Sequence, residues 1–233
     1  YSEDTLLKDV AKEVQESFSH EILLATVNGK LQELHKKVKE GTSVEFLTAA
    51  DKPGIQTYRR SVLLILLKAF YEVIGAEHIQ KLSVEYAIAN GLFIESAGSF
   101  EKTQELVDRI KAKMREYVAA EIPIMKRNVT TDEAIEIFRH HRMYEKERLF
   151  RYRRVSRVNL YSIGGFEDYY YGYMVQNTGY LKYFDLILYR DGMMLLLPEQ
   201  KNPEQVAEFY DREKLFEVLD ETESWGRQLE VPT

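Results

Sequence analysis

The sequence contains no cysteine, and only five of its 233 residues are histidine. Without cysteine the chain cannot form disulfides, cysteine-ligated zinc sites, iron–sulfur clusters or a cysteine nucleophile. The longest unbroken apolar run, Val62 to Leu67, is far shorter than the ~20 residues that a membrane-spanning helix needs. No charged and then apolar leader opens the chain, so we expect a cytoplasmic protein with no membrane partner.

The common phosphate-binding and hydrolase motifs are also absent from the sequence. It has no Gly-x4-Gly-Lys-Ser/Thr, no Gly-x-Gly-x-x-Gly, no His-Glu-x-x-His and no Gly-x-Ser-x-Gly. His140 and His141 form the only close histidine pair, and adjacent positions of a helix do not face one site. We therefore predict no catalytic residue, no metal site and no cofactor within this chain, and whether the parent protein is an enzyme stays open at this point.

What the sequence does contain is typical of a folded protein. Hydrophobic residues make up 45% of it and charged residues 30%, with a net charge of −6 at pH 7, which argues against intrinsic disorder. The length suits one large domain or two small ones. Because the chain begins at Tyr1 without a methionine and ends abruptly at Thr233, we expect it to be part of a longer protein.

Local patterns predict a mixture of helices and antiparallel hairpins, which is the α+β class. Residues 4–18 have the apolar spacing of an amphipathic helix, and Tyr58 to Ile74 that of a buried helix closed by Gly75. Asn28-Gly29 between two apolar stretches predicts a hairpin, because both turn positions need positive φ. We expect Pro53-Gly54 to be a linker. The other predicted elements are strands at Ser43 to Leu47, Val158 to Ser162, Asp168 to Met174, Phe184 to Tyr189 and Met193 to Leu197, and a last helix from Asn202-Pro203 to about Leu219.

A basic segment from Arg139 to Arg157 contrasts with the acidic character of the chain. It holds eight arginines and lysines against two glutamates, with aromatic residues between them. Basic and aromatic side chains together favour phosphate backbones and stacked bases. The alternative interpretation is that the segment neutralises the acidic stretch from Glu199 to Glu230. The candidates for anion or RNA binding are Arg148, Arg151, Arg153 and Arg154.

Tyrosines are concentrated between residues 161 and 189. In one extended strand Tyr169, Tyr171 and Tyr173 would share a face, with Asp168 and Tyr170 on the other face. Tyrosine packs well across strands, so an ordinary sheet explains much of this pattern. The other interpretation, a platform on which a base or an aromatic ligand stacks, stays open.

Several stretches occur in an order that a known family shares. The stretch from Val27 through Asn28-Gly29 to Leu31 resembles a hairpin of a TGS domain, the small β-grasp module of threonyl-tRNA synthetases, although the first hairpin of that module is missing here. Tyr58-Arg59-Arg60-Ser61, at the start of a long apolar helix, resembles the second additional domain of threonyl- and alanyl-tRNA synthetases, which edits mischarged tRNA. The stretches similar to later parts of that family are Phe166 to Asp168, Asn177 to Gly179, Phe184 to Leu186 and Glu223 to Leu229.

The resemblance also implies where a metal would be held. The editing domain of that family uses His-x3-His on the long helix and Cys-x3-His on a later strand. The corresponding positions here are Arg60, Leu64, Tyr170 and Met174, and none of these can replace a zinc-ligating histidine or thiolate. The resemblance therefore implies that metal-dependent deacylation is lost. It also makes these four residues candidates for lining a pocket suited to an anion or an aromatic ring.

A second family has the same modules in its N-terminal region. Bacterial uridine-kinase-like nucleoside kinases carry a TGS module and a second additional domain before a P-loop kinase domain, and the Trp225-Gly226-Arg227 tail resembles that family more than a synthetase. This resemblance implies a non-catalytic recognition or regulatory region of an ATP-dependent nucleoside kinase. ATP and Mg²⁺ would bind only in a kinase domain beyond Thr233. The partners would be that domain and a nucleoside, a nucleotide or a tRNA-like ligand.

Two other hypotheses about the function stay open in addition to the nucleoside kinase. One is a threonyl-tRNA synthetase-like editing or aminoacyl-tRNA deacylase fragment, and the other is an RNA-binding or interaction module. For all three we expect the same fold, a partial β-grasp module followed by an editing-domain-like α+β module with an antiparallel sheet. The expected divisions are residues 1–53, residues 54–220, and a linker at 221–233 toward a missing domain.

Overall fold

The computed structural model of the chain describes residues 5–88, 91–206, 208–211 and 218. Within these ranges the strands pair only in the antiparallel sense, and helices lie beside the sheets. The predicted α+β class is therefore confirmed. Among the helices in these ranges, none combines the length and the apolar character needed to cross a bilayer.

The front module is a three-stranded sheet with one helix packed on it. Its elements are α1 (Leu7–Val14), β1 (Ile22–Val27), β2 (Lys30–Glu33) and β3 (Val44–Thr48), and the strand order is β2-β1-β3. The predicted hairpin between β1 and β2 is confirmed, with Asn28 at φ 50° and Gly29 at φ 76°. Leu7 and Val10 on one side of α1 cover Ile22 of β1, which gives this module its own small apolar core.

The longest helix, α2 (Lys52–Ile74), joins the front module to the rest of the molecule. The buried helix predicted from Tyr58 is confirmed, and it ends at Gly75, where φ is 89°. The linker predicted at Pro53-Gly54 is wrong, because both residues lie in the first turn of α2, where proline needs no N–H partner. A Cβ on Gly54 would lie 1.8 Å from the carbonyl oxygen of Thr48, so the helix approaches the end of β3 closely.

A four-stranded sheet lies against α2 and the next helix. Its strands are β4 (Ile79–Ile88), β5 (Gly91–Gly98), β9 (Asp185–Tyr189) and β10 (Gly192–Leu196), in the order β4-β5-β10-β9. The helix α3 (Gln104–Ala119) begins at Thr103, whose hydroxyl accepts the N–H of Leu106. The β9–β10 hairpin is confirmed where the sequence predicts it.

A third sheet, also of three strands, has two helices in one of its connections. The elements are β6 (Met125–Thr130), α4 (Thr131–His140), α5 (Tyr144–Arg151), β7 (Arg157–Ile163) and β8 (Phe166–Tyr169), and the strand order is β6-β7-β8.

The strand predicted from Asp168 to Met174 is wrong beyond Tyr169, where β8 ends. Tyr170 turns inward and is 8% exposed, whereas Tyr171 is 87% exposed. Gly172 then has φ 117°, a conformation outside the β region. The single tyrosine face expected from strict alternation therefore does not form.

The last described elements are the short strands β11 (Pro198–Glu199) and β12 (Asn202–Val206). The helix predicted from Asn202-Pro203 is therefore wrong over residues 202–206. A proline φ near −65° suits the first turn of a helix and an edge strand equally, and here Pro203 lies in a two-stranded sheet. Most of the remainder of that predicted helix lies outside the described residues, as do the Trp225-Gly226-Arg227 tail and the expected linker at 221–233.

Candidate functional site

The four residues at the expected metal-ligand positions lie on α2 and on the loop that follows β8. The hydroxyl oxygen of Ser61, next to Arg60 on α2, lies 3.3 Å from the sulfur of Met174. Leu64, Tyr170 and Met174 are buried in the main apolar cluster. The hydroxyl of Tyr170 has no hydrogen-bond partner among the described residues. That these four residues line a ligand pocket stays a prediction.

Their chemistry does not fit a zinc ion. Arg60 is a cation, Leu64 has no donor atom, and burial raises the pKa of the Tyr170 hydroxyl well above its usual value. The thioether of Met174 is a soft, weak ligand that zinc does not favour. Within the described residues no group of three His, Cys, Asp or Glu side chains is close enough to hold a metal ion.

Arg60 instead fixes the loop that carries Met174. Its guanidinium donates to the carbonyl oxygen of Tyr173 at 2.5 Å, and burial lowers its pKa. A Cβ on Gly172 would lie 2.7 Å from the Arg60 Cζ atom. Only glycine both tolerates the positive φ and leaves room for this guanidinium.

A buried carboxylate that the sequence analysis did not single out lies beside this loop. Glu33, the last residue of β2, is 4% exposed. Its Oε1 atom accepts the Tyr161 hydroxyl at 2.6 Å and the Met174 N–H at 3.0 Å, and its Oε2 atom lies 3.3 Å from the Lys126 Nζ atom. We call Glu33, Lys126, Tyr161 and the Met174 amide the Glu33 cluster. One signal points to it: Leu31 and Glu33 share a face of β2, so an acid occupies an inward position.

Other charged and titratable groups surround the Glu33 cluster. The His35 Nδ1 atom lies 3.9 Å from the Glu33 Oε2 atom, and burial lowers the pKa of His35 although Glu33 opposes this. Burial, and then the hydrogen bond to Glu33, raise the pKa of Tyr161, whose hydroxyl also lies 2.6 Å from the carbonyl oxygen of Gly172. Tyr161 therefore keeps its proton and acts as a donor.

The basic segment divides into paired and unpaired residues. Glu147 accepts Arg139 at 3.0 Å and Arg151 at 2.6 Å, and Lys146 pairs with the fully buried Asp168. As far as the described residues show, these acids come from residues 136–168 and not from the acidic C-terminal stretch. Most of that acidic stretch lies outside the described residues, so neutralisation by it stays an open interpretation.

Of the four arginine candidates, two are engaged and two are not. Arg151 pairs with Glu147, and Arg153 lies over the Tyr169 ring at 4.5 Å while donating to its hydroxyl at 2.7 Å. Arg148 and Arg154 are exposed and have no ion pair or hydrogen bond with any described residue. Exposed apolar and aromatic residues lie beside them, with Leu149 63% and Tyr152 83% exposed. We call the set Tyr144, Arg148, Leu149, Tyr152 and Arg154 the α5 surface.

Two cavities lie away from both of these places. One, of about 300 Å³, lies between the front module and the loop before β9, with Phe18, Tyr58 and Tyr183 in its wall. The other, of about 980 Å³, lies between α3 and β9. Its charged wall residue Lys111 is paired with Asp185 at 2.9 Å. Neither cavity is lined by the four predicted pocket residues.

The chain is similar to curated proteins over most of its length. It is 28% identical over 188 residues to a protein of Desulforamulus reducens, which is 80% of this chain, and 28% identical over 193 residues to one of Carboxydothermus hydrogenoformans. A protein of Clostridium kluyveri is 29% identical over 180 residues, or 77% of this chain. All three are threonine–tRNA ligases. No protein-family model matches the chain.

These relatives support the expected fold and one of the three expected functions. The chain has an α+β fold consistent with a TGS-like front module and an editing-domain-like second module. It spans about 29% of the length of the first two relatives. None of the three is named as a kinase, so the expectation of a uridine-type kinase, with its kinase-domain and nucleotide partners, has no support from them. The synthetase-like alternative is better supported.

Proposed function

We propose that this chain is a tRNA-recognising region of editing-domain architecture that lacks metal-dependent deacylation. The observation that carries the proposal is the similarity, over four-fifths of the chain, to enzymes named for their action on tRNA. The order of the resembling stretches along the sequence agrees with it. Because the chain corresponds to less than a third of those enzymes, aminoacylation itself is not part of the proposal.

The α5 surface is where the RNA would bind. Arg148 and Arg154 are available to phosphate groups, since no described acid pairs with them. Tyr144 and Tyr152 are exposed and lie four residues before and four residues after Arg148 in sequence, and stacking on such rings stabilises unpaired bases. Arg151 and Arg153 are held by Glu147 and Tyr169, so we assign them to the support of this surface rather than to the RNA.

Binding of unfractionated tRNA as a function of salt concentration tests the assignment. For each lost phosphate contact, the slope of log affinity against log salt falls by about 0.7–0.9. We expect this loss in Arg148→Glu and in Arg154→Glu. The matched control is Arg109→Glu, which reverses an exposed charge on α3 and should keep the full slope. Equal slopes in the wild type and all three variants would contradict RNA binding at the α5 surface.

Hydrolysis of mischarged tRNA separates recognition from editing. We expect no hydrolysis above the spontaneous rate, with or without added Zn²⁺, because the side chains of Arg60, Leu64 and Tyr170 do not fit the metal. Zn²⁺-stimulated hydrolysis would replace this proposal by the deacylase alternative. The nucleoside-kinase reading stays a prediction, and a phosphate loop in the parent protein would be its first support.

A further inference from the structure

A carboxylate of the front module is bound by donors of the second module. Glu33 belongs to β2, whereas Lys126 lies on β6, Tyr161 on β7, and Met174 in the loop after β8. The carboxylate is almost completely removed from water, with 4% of the residue exposed. Removing a carboxylate from water is costly unless hydrogen bonds and an opposite charge offset the loss of hydration.

The three donors have the composition of an anion-binding site. A main-chain N–H and a phenol O–H converge on the Oε1 atom at 3.0 and 2.6 Å, and an ammonium group approaches the Oε2 atom at 3.3 Å. Tyr161 stays protonated because burial raises its pKa, so it donates rather than repels. Arg60 adds a further positive charge that acts on Glu33 and Tyr161.

The donors do not depend on Glu33 for their position. Tyr161 is held in the middle of β7, paired with Lys126 of β6 on one side and Asp168 of β8 on the other. The Met174 loop is fixed by Arg60, which donates to Tyr173, and by Ser61, which accepts the N–H of Val175 at 3.0 Å. We expect the site to persist when its carboxylate is removed.

We propose that Lys126, Tyr161 and the Met174 amide form a carboxylate-binding site on the second module, and that Glu33 of the front module is its resident ligand. The site takes a small free carboxylate when the Glu33 side chain is absent. The same contacts then tie the two modules together in the intact chain. This inference does not rest on tRNA recognition, because it concerns other residues and a different ligand.

Acetate tests the site in the full chain with Glu33→Gly. We expect acetate to raise the melting temperature of this variant in a saturable way, whereas acetamide, its neutral isostere, has no effect. Wild type, in which the site is filled, should respond to neither. The control is Glu45→Gly, which removes an exposed carboxylate from strand β3 and should also respond to neither. An equal response to acetate and acetamide, or none, in folded Glu33→Gly would overturn the proposal.

A double-mutant cycle covers the case in which Glu33→Gly does not fold. Glu33→Gln keeps the shape of the side chain, and Lys126→Met keeps most of its length while removing the charge. If Glu33 is held as an anion, Lys126→Met lowers the melting temperature more in the wild-type background than in the Glu33→Gln background. Equal shifts in the two backgrounds would show that the charge of Glu33 is not recognised, which would overturn the proposal.

Discussion

The Glu33 cluster and the α5 surface contain similar residue types in opposite states. Both contain cations and tyrosines: the Lys126 Nζ atom lies 5.2 Å from the Tyr161 ring centre in the first, and Arg148 is four residues before Tyr152 in the second. In the cluster, Glu33 from the front module accepts from all three donors of the second module. On the α5 surface no described acid pairs with Arg148 or Arg154. Residue type alone therefore does not mark a binding surface, because pairing with acids decides which cations are available to a ligand.

The largest expected difference between the two places is in packing. Leu64 is fully buried beside the Met174 loop, so Leu64→Ala should lower the free energy of unfolding by about 2–5 kcal/mol. Leu149→Ala on the α5 surface should change it by less than about 0.5 kcal/mol. Urea denaturation of both variants checks this. Similar losses at the two positions would mean that the α5 surface is covered by part of the molecule.

The next effect concerns a single hydroxyl. Tyr161→Phe removes the hydroxyl that donates to Glu33 and leaves the buried carboxylate with the Met174 N–H and Lys126, so we expect a loss of about 1–3 kcal/mol in the free energy of unfolding. Tyr144→Phe, which removes an exposed hydroxyl, serves as the control and should have no measurable effect. An unchanged free energy of unfolding in Tyr161→Phe would contradict the buried hydrogen bonds of the cluster.

A smaller effect is expected on RNA affinity, which should depend on an exposed tyrosine of the α5 surface. Tyr152→Ala removes an exposed ring, and loss of one stacked base should weaken binding of single-stranded RNA by about 1 kcal/mol. Filter binding at fixed salt measures this change. Tyr71→Phe, which keeps the ring of a half-buried tyrosine of α2, should leave the affinity unchanged. Equal affinity of Tyr152→Ala and wild type would exclude stacking at this ring.

The smallest expected effect is the dependence of stability on pH. Burial lowers the pKa values of His35 and His141 below the ordinary value of 6.5, so the unfolded chain takes up these protons first as the pH falls. Stability should be constant above that value and decrease below it. Urea midpoints between about pH 7.5 and about pH 5.5 measure the slope. His35→Gln and His141→Gln should each reduce it, and unchanged slopes in both would contradict the assignment.

Local chemistry made several elements predictable. Asn28-Gly29 required its turn, and the apolar positions from Tyr58 to Ile74 required a buried helix. The failures come from residues that suit two structures. Pro203 fits a helix start and an edge strand, and only the pairing of its neighbours Asn202 and Val206 with β11 decides between them. Gly172 ends an extended pattern because Arg60, more than a hundred residues earlier, fills the space beside it.

The candidate site was less predictable than the fold. The four ligand positions could be identified through a resemblance, and the sequence alone excluded zinc from them. Glu33 could not be found in that way, because its partners are about 90 to 140 residues away in sequence and nothing local marks them. The sequence likewise does not show that Arg151 and Arg153 are engaged while Arg148 and Arg154 are unpaired. That difference depends on which partners the fold brings close to each arginine.

The shared core has a consequence for how such a protein can evolve. Leu23 and Ala49 of the front module lie in the same apolar cluster as residues of α2 and of the β6-β7-β8 sheet. A recombination event that transferred residues 54–206 alone would leave these two side chains behind and open the cluster to water. We therefore expect gene shuffling to move the two modules together, so that the boundary at which such a gene can be cut lies outside this pair of modules.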